Sequence, residues 1–166
     1  NAYFASRPDS PIQSIDDLIA FNEENAATEM PFFQQEHLLQ AAEKGDLTEP
    51  EYLEALEKVT SNARAAVDNA LATNELDAIM GVTGGPAWTI DVINGDHFGM
   101  GSSSPAAQSG YPNITVPAGF VGELPVGVSF FAGKFEEAKL ISIAYAFEQA
   151  TKVRKAPQFI KALPTE

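Results

Sequence analysis

A helix-rich α/β fold with a short sheet is what this sequence predicts, and three observations carry the prediction. Residues 1–76 hold apolar stripes at helical spacing, bracketed by start and stop signals. Residues 77–166 hold apolar runs of strand length, two of them separated by a tight turn. The chain of 166 residues is 45% hydrophobic and 20% charged, an ordinary globular balance at a length that can bury a core. Composition thus divides it into an acidic helical segment, 1–76, and a strand–hairpin–helix segment, 77–166, together one domain or part of one.

In the first segment, Ser14 and Asp17 have capping-box spacing ahead of Leu18, Ile19 and Phe21, so a helix starts there and is expected to end before Pro31. Pro31 suits the first turn of a second helix, with Phe32, Phe33, Leu38 and Leu39 on its apolar side and Gly45 as a left-handed stop. Thr48-Glu49-Pro50-Glu51 repeats the start signal. The helix it opens runs to about Thr73, and Tyr52, Leu56, Val59, Ala63, Ala66, Val67 and Ala70 form one stripe expected to be buried.

The character changes at Asp77. Ala78–Val82 reads as a buried strand, and residues 83–104 as a long glycine-rich loop of the kind that usually carries function. Pro105-Ala106-Ala107 starts a short helix. Residues 113–120 and 124–131 read as an antiparallel hairpin turning at 121–123, with Pro117 and Pro125 placed at an edge, a bulge or a strand end because they lack a ladder donor. A last helix, 136–150, should turn Leu140, Ile141, Ala144, Tyr145 and Phe147 inward; the tail beyond it is basic, with Lys152, Arg154, Lys155 and Lys161.

Charge and cysteine content exclude several classes. The net charge is -13, and residues 1–77 carry 16 acidic against 4 basic groups, which disfavours contact with a nucleic-acid backbone. The absence of cysteine excludes disulfides and zinc-thiolate sites and suits a cytoplasmic protein. No stretch approaches the ~20 apolar residues of a membrane helix. Two histidines among scattered carboxylates support no metal site, and no cofactor is expected. The chain opens on Asn1 rather than Met, as a piece of a longer chain would.

The last third carries a more specific pattern. Gly110-Tyr111-Pro112, Thr115 to Gly119, Leu124 to Val128, Leu140, and Ala144 through Glu148 resemble the closing block of amidase-signature enzymes. Thr83 to Trp88 and the runs Asn94 to His97 and Ser104 to Ala107 resemble the branch that includes bacterial peptide amidases. The resemblance implies the C-terminal part of an α/β/α sandwich with a mixed sheet. It also implies a parent hydrolase that cleaves a carboxamide through a serine acyl-enzyme, acting on a small amide or an amidated peptide.

The family's lysine and two serines precede that block, and residues 1–77 hold no glycine- and serine-rich loop. No catalytic residue is therefore assigned, and the chain alone is expected to be inactive. Thr83, Trp88, Asp91, Asn94 and Asp96 are the candidates for the substrate pocket. The Gly99–Ser104 run near His97, with Asp91 or Asp96 to orient it, has triad composition, but helix capping before Pro105 accounts for those serines equally well. The alternatives to the hydrolase reading are a non-catalytic binding or assembly module and an amidotransferase subunit. An uncovered edge on the hairpin would favour a homo-oligomer.

Overall fold

The computed structural model describes residues 2–159; Lys161 of the basic tail lies outside the described residues. The chain forms two compact units, one reaching to Tyr52 and the other starting at Leu53. The compositional boundary at 76/77 is a different division. Charge changes at Asp77, whereas compactness changes within the first turn of a long helix.

The first unit contains α1 (Ala2–Ala5), α2 (Ile15–Glu24), α3 (Ala26–Glu29) and α4 (Glu36–Ala42). The capping box at α2 is present. Asp17 N–H donates to the Ser14 hydroxyl at 3.1 Å, and the Asp17 carboxylate accepts from Ser14 N–H at 2.9 Å. The expected helix starting at Pro31 is not formed. Phe32 and Phe33, 66% and 60% exposed, sit in irregular backbone, and α4 starts only after Gln35.

Gln35 explains the late start. Its side chain is buried, donates to Ile19 O at 3.2 Å and accepts from Asn22 Nδ2 at 3.1 Å, so the chain is held by α2 before it can wind. Gly45 is not a left-handed stop either. α4 ends at Glu43 with right-handed backbone, and the Glu49 carboxylate occupies the space a Cβ on Gly45 would need. Among the described residues this unit buries no apolar side chain fully; Gln35 is its buried residue.

The second unit is a three-layer arrangement. Its sheet has β1 (Ile79–Val82), β2 (Asn113–Val121) and β3 (Leu124–Phe131) in the order β1-β3-β2. Both pairings are antiparallel, so the mixed character implied by the resemblance is not found among these three strands. β2 turns directly into β3, which forces antiparallel pairing there, and β1 then joins the free side of β3. Gly122, at φ +59°, supplies the left-handed residue of the hairpin turn. The ladder shifts register between Pro117 and Gly119, a bulge at the proline that cannot donate.

Alternation along the strands sends two residue sets to opposite faces. On one face Val128 and Phe130 join Ala132 and Leu140 of α7 (Glu137–Thr151), with Ile114, Val116, Ile143 and Phe147 around them. Phe130 and Phe147 meet edge to face at 5.8 Å. α7 lies chiefly over β2 and β3, leaving Met80 and Val82 of β1 exposed. The strand expected to be buried is therefore an edge with one open face. The inward face of α7 also differs from expectation, because Ile141 and Tyr145 are exposed while Ile143 packs inward.

On the other face Phe131 and Ile79 pack against Val67 and Leu71 of α5 (Pro50–Thr73) and Ala106 of α6 (Ser104–Ser109). The stripe expected along α5 is buried only here. Leu56, Val59 and Ala66 remain exposed, because within this unit the sheet is reached only by the last turns of the helix. Arg64 secures the α5–α6 contact by donating from Nε to Ser109 O at 2.9 Å, and Tyr111 OH donates to Asp68 at 2.9 Å. Asp68 and burial together raise the Tyr111 pKa, with burial the larger cause.

Candidate functional site

The loop between β1 and α6 is organised by one carboxylate. Asp91 Oδ1 accepts from the backbone N–H of Ile93 at 3.0 Å and of Asn94 at 2.8 Å; its Oδ2 accepts from Asn94 Nδ2 at 2.8 Å and contacts His97 Nε2 at 3.4 Å. The Asp91 carbonyl also accepts from Gly95 N–H at 3.0 Å, and Gly95 has φ +88°. Hydrogen bonds from the backbone and side chain of Asn94, then from Ile93, hold the Asp91 carboxyl at a pKa of about 2, well below its ordinary 3.8. Both Asp91 oxygens are thus committed to folding the turn.

A second group lies farther along the loop. Trp88 Nε1 donates to Asp96 Oδ1 at 2.6 Å, and the indole meets Phe98 edge to face at 6.2 Å. The ring of Phe98 in turn sits where a Cβ on Gly101 would be, and Gly84 and Gly101 bridge the two ends of the loop. Trp88, Ile90, Ile93, Phe98 and Met100 all leave apolar surface exposed on this loop.

Four of the five candidates therefore fall into two pairs, Asp91 with Asn94 and Trp88 with Asp96. Thr83 belongs elsewhere. Its backbone N–H donates to Gly127 O at 2.9 Å, continuing the β1–β3 ladder. Its hydroxyl lies 2.5 Å from that of Thr115 on β2 and 2.8 Å from that of Ser129 on β3.

These three hydroxyls share the sheet face toward α6, and two glycines make room for the cluster. A Cβ on Gly127 would come within 2.9 Å of the Thr83 hydroxyl and 3.0 Å of the Thr115 hydroxyl, and a Cβ on Gly81 within 2.8 Å of Ser102 Cβ. Ser129 is only 3% exposed. A cavity of about 400 Å³ opens over the cluster, lined also by Ser103, Ala106, Ala107, Tyr111 and Asn113.

Sequence patterning did not single out Thr115 and Ser129. Their signal was present: Asn113, Thr115, Gly127 and Ser129 interrupt the hairpin at alternate positions, which puts polar and small groups on one face. The triad composition near His97 is not assembled. His97 touches Asp91, but among the described residues it makes no hydrogen bond to a serine. Ser102 Oγ is buried with no partner, and the Ser103 hydroxyl caps no backbone N–H. Among the described residues no group of three metal-ligating side chains converges.

Comparison with known proteins gives this geometry a context. No protein-family profile matches the chain. A probable amidase of Arabidopsis thaliana is 40% identical over 162 residues, which is 96% of this chain and 28% of that protein. The crystal structure of native peptide amidase from Stenotrophomonas maltophilia superposes with a TM-score of 0.84 at 39% identity, over 95% of this chain and 32% of that one. A glutamyl-tRNA(Gln) amidotransferase component of Pseudomonas entomophila is 38% identical over 89 residues, or 51% of this chain and 18% of that protein.

The chain thus spans about a third or less of the length of these relatives. The likeness to amidases extends over nearly every element described above, in sequence and in fold alike, and the chain belongs to the amidase-signature family.

Proposed function

We propose that this chain supplies scaffold and part of the substrate pocket to an amidase-signature hydrolase that cleaves the C–N bond of a carboxamide. The single observation that supports this most is the 39% identity to a peptide amidase over 95% of the chain with a TM-score of 0.84. In the proposed reaction a serine hydroxyl adds to the amide carbonyl and gives up its proton. The tetrahedral intermediate expels ammonia or an amine, and water then releases the carboxylate from the acyl-enzyme. None of the residues of the two units is assigned to those steps.

In this reading the 83–104 loop forms a wall of the pocket. Asp91 and Asn94 fold its turn, Trp88 braced by Asp96 presents an aromatic surface, and Thr83 anchors its start to the sheet. The substrate is a small amide or an amidated peptide, and the setting is cytoplasmic. No helix among the described residues is long and apolar enough to cross a membrane. The open edges of β1 and β2 leave room for association with a second copy. An amidotransferase role has weaker support, since that likeness covers 51% of the chain against 96% for the amidase.

The test is ammonia release from a peptide carrying a C-terminal amide. The 166-residue chain alone is expected to show no turnover above buffer, and the gene's full product to hydrolyse the amide. Trp88→Ala in that product should lower kcat/KM about tenfold through a lost pocket wall. Turnover by the 166 residues alone that disappears on replacing Ser102, Ser103 and Ser104 with alanine overturns the proposal.

A further inference from the structure

The hydroxyl cluster under α6 has a direction that its distances dictate. Each hydroxyl carries one hydrogen. Thr115 spends its hydrogen on the carbonyl of Val128 at 3.2 Å, since a carbonyl cannot donate. The 2.5 Å contact between Thr83 and Thr115 must then be donated by Thr83. The 2.8 Å contact between Ser129 and Thr83 must in turn be donated by Ser129. All three hydrogens are used, so the floor of the cavity offers lone pairs and nothing else.

The rest of the lining has the complementary character. Ser103 and Asn113 border the cavity, and neither side chain makes a hydrogen bond among the described residues. They supply free donors opposite the acceptor floor. Ala106 and Ala107 supply small apolar surface, and no charged residue lines the space. A charged ligand would lose hydration there without gaining a counter-charge. A planar neutral group with an N–H on one side and a carbonyl on the other meets every requirement.

We infer that the cavity bounded by Thr83, Thr115, Ser129, Ser103 and Asn113 binds an uncharged carboxamide, its N–H on the two threonine oxygens and its carbonyl toward Ser103 and Asn113. The inference goes beyond the hydrolase reading and is separable from it. It requires only binding by the 166-residue chain, whereas that reading requires turnover by a longer product.

The experiment is a titration of the isotope-labelled 166-residue chain, read by backbone amide resonances. Isobutyramide is the probe, with N,N-dimethylisobutyramide and isobutyrate as controls. Small ligands gain at most ~1.5 kcal/mol per heavy atom, so concentrations up to hundreds of millimolar are appropriate. Saturable shifts are expected at Thr83, Ser103, Thr115 and Ser129 with isobutyramide, at least about tenfold stronger than with either control, because only the primary amide is both neutral and an N–H donor.

Thr115→Val should abolish the shifts by removing one acceptor. Ala107→Phe should abolish them by filling the space with the hydroxyl chain intact, and it decides the matter if Thr115→Val does not fold. Equal response to the dimethylamide, absence of saturable shifts at these residues, or unchanged binding in Ala107→Phe overturns the inference.

Discussion

The two faces of the sheet use the same three strands to opposite ends. Toward α7, Val128 and Phe130 close on Leu140 in an apolar core, and Leu140 is only 1% exposed. Toward α6, the neighbouring positions Gly127 and Ser129 face Thr83 and Thr115 across an open trough. One strand thus alternates between a residue that holds the unit together and a residue that leaves it a polar hollow. The face toward α7 is stabilised by area removed from water, which is non-directional. The face toward α6 depends on directional hydrogen bonds and on the absence of two Cβ atoms.

The largest effect that tests this contrast is Leu140→Ala. Truncating a fully buried leucine costs about 2–5 kcal/mol, depending on how far the site collapses. Urea denaturation of the 166-residue chain should show a loss in that range with little change in the slope. A loss below ~1 kcal/mol would mean that α7 does not carry the stability of the sheet.

A smaller effect is expected from Gly127→Ala. Its new Cβ would crowd two hydroxyls at 2.9 and 3.0 Å, and relief requires breaking the chain they form. Overpacking of this kind costs about 1–3 kcal/mol. The contrast sharpens in a double variant. Gly127→Ala with Thr83→Ala should cost less than the sum of the two single changes, because the second removes the obstruction to the first. Simple additivity would show that the glycine is not there to admit the hydroxyls.

The smallest effect concerns the loop. The Asp91 carboxyl has a pKa of about 2 against an ordinary 3.8, so the folded turn favours the charged form. Its contribution is therefore complete above pH 3.8 and is lost as pH falls through about 2, since below that the carboxylate is protonated in both folded and unfolded loop. Resonances of residues 91–97 should stay native down to about pH 3 and change together near pH 2. A midpoint near 3.8 would mean that the Asp91–Asn94 turn does not persist in solution.

How much of this was legible before folding depends on the range of the interaction. The α2 capping box involves residues three apart, and it formed as the spacing predicts. The long helix formed as Pro50–Thr73, and the hairpin as two strands joined at Gly122. The misreadings came from partners distant in sequence. Pro31 carries a valid helix-start signal, yet Gln35 reaches back to Ile19 and delays α4. Tyr145 has the right spacing for the inward face of α7, but the helix meets the sheet through Ile143 instead.

The candidate site divides along the same line. Trp88, Asp91, Asn94 and Asp96 lie within nine residues, so composition alone drew attention to them, and their pairings are local. Thr83, Thr115 and Ser129 are separated by 32 and 46 positions, counted from Thr83, and nothing in one dimension joins them. By itself this sequence determined its helices, its hairpin and its family, because caps, turns and periodic stripes act over a few residues. Only the tertiary structure decided which stripe is buried, which strand lies at the centre and which hydroxyls meet, because antiparallel register brings distant residues opposite one another at hydrogen-bonding distance.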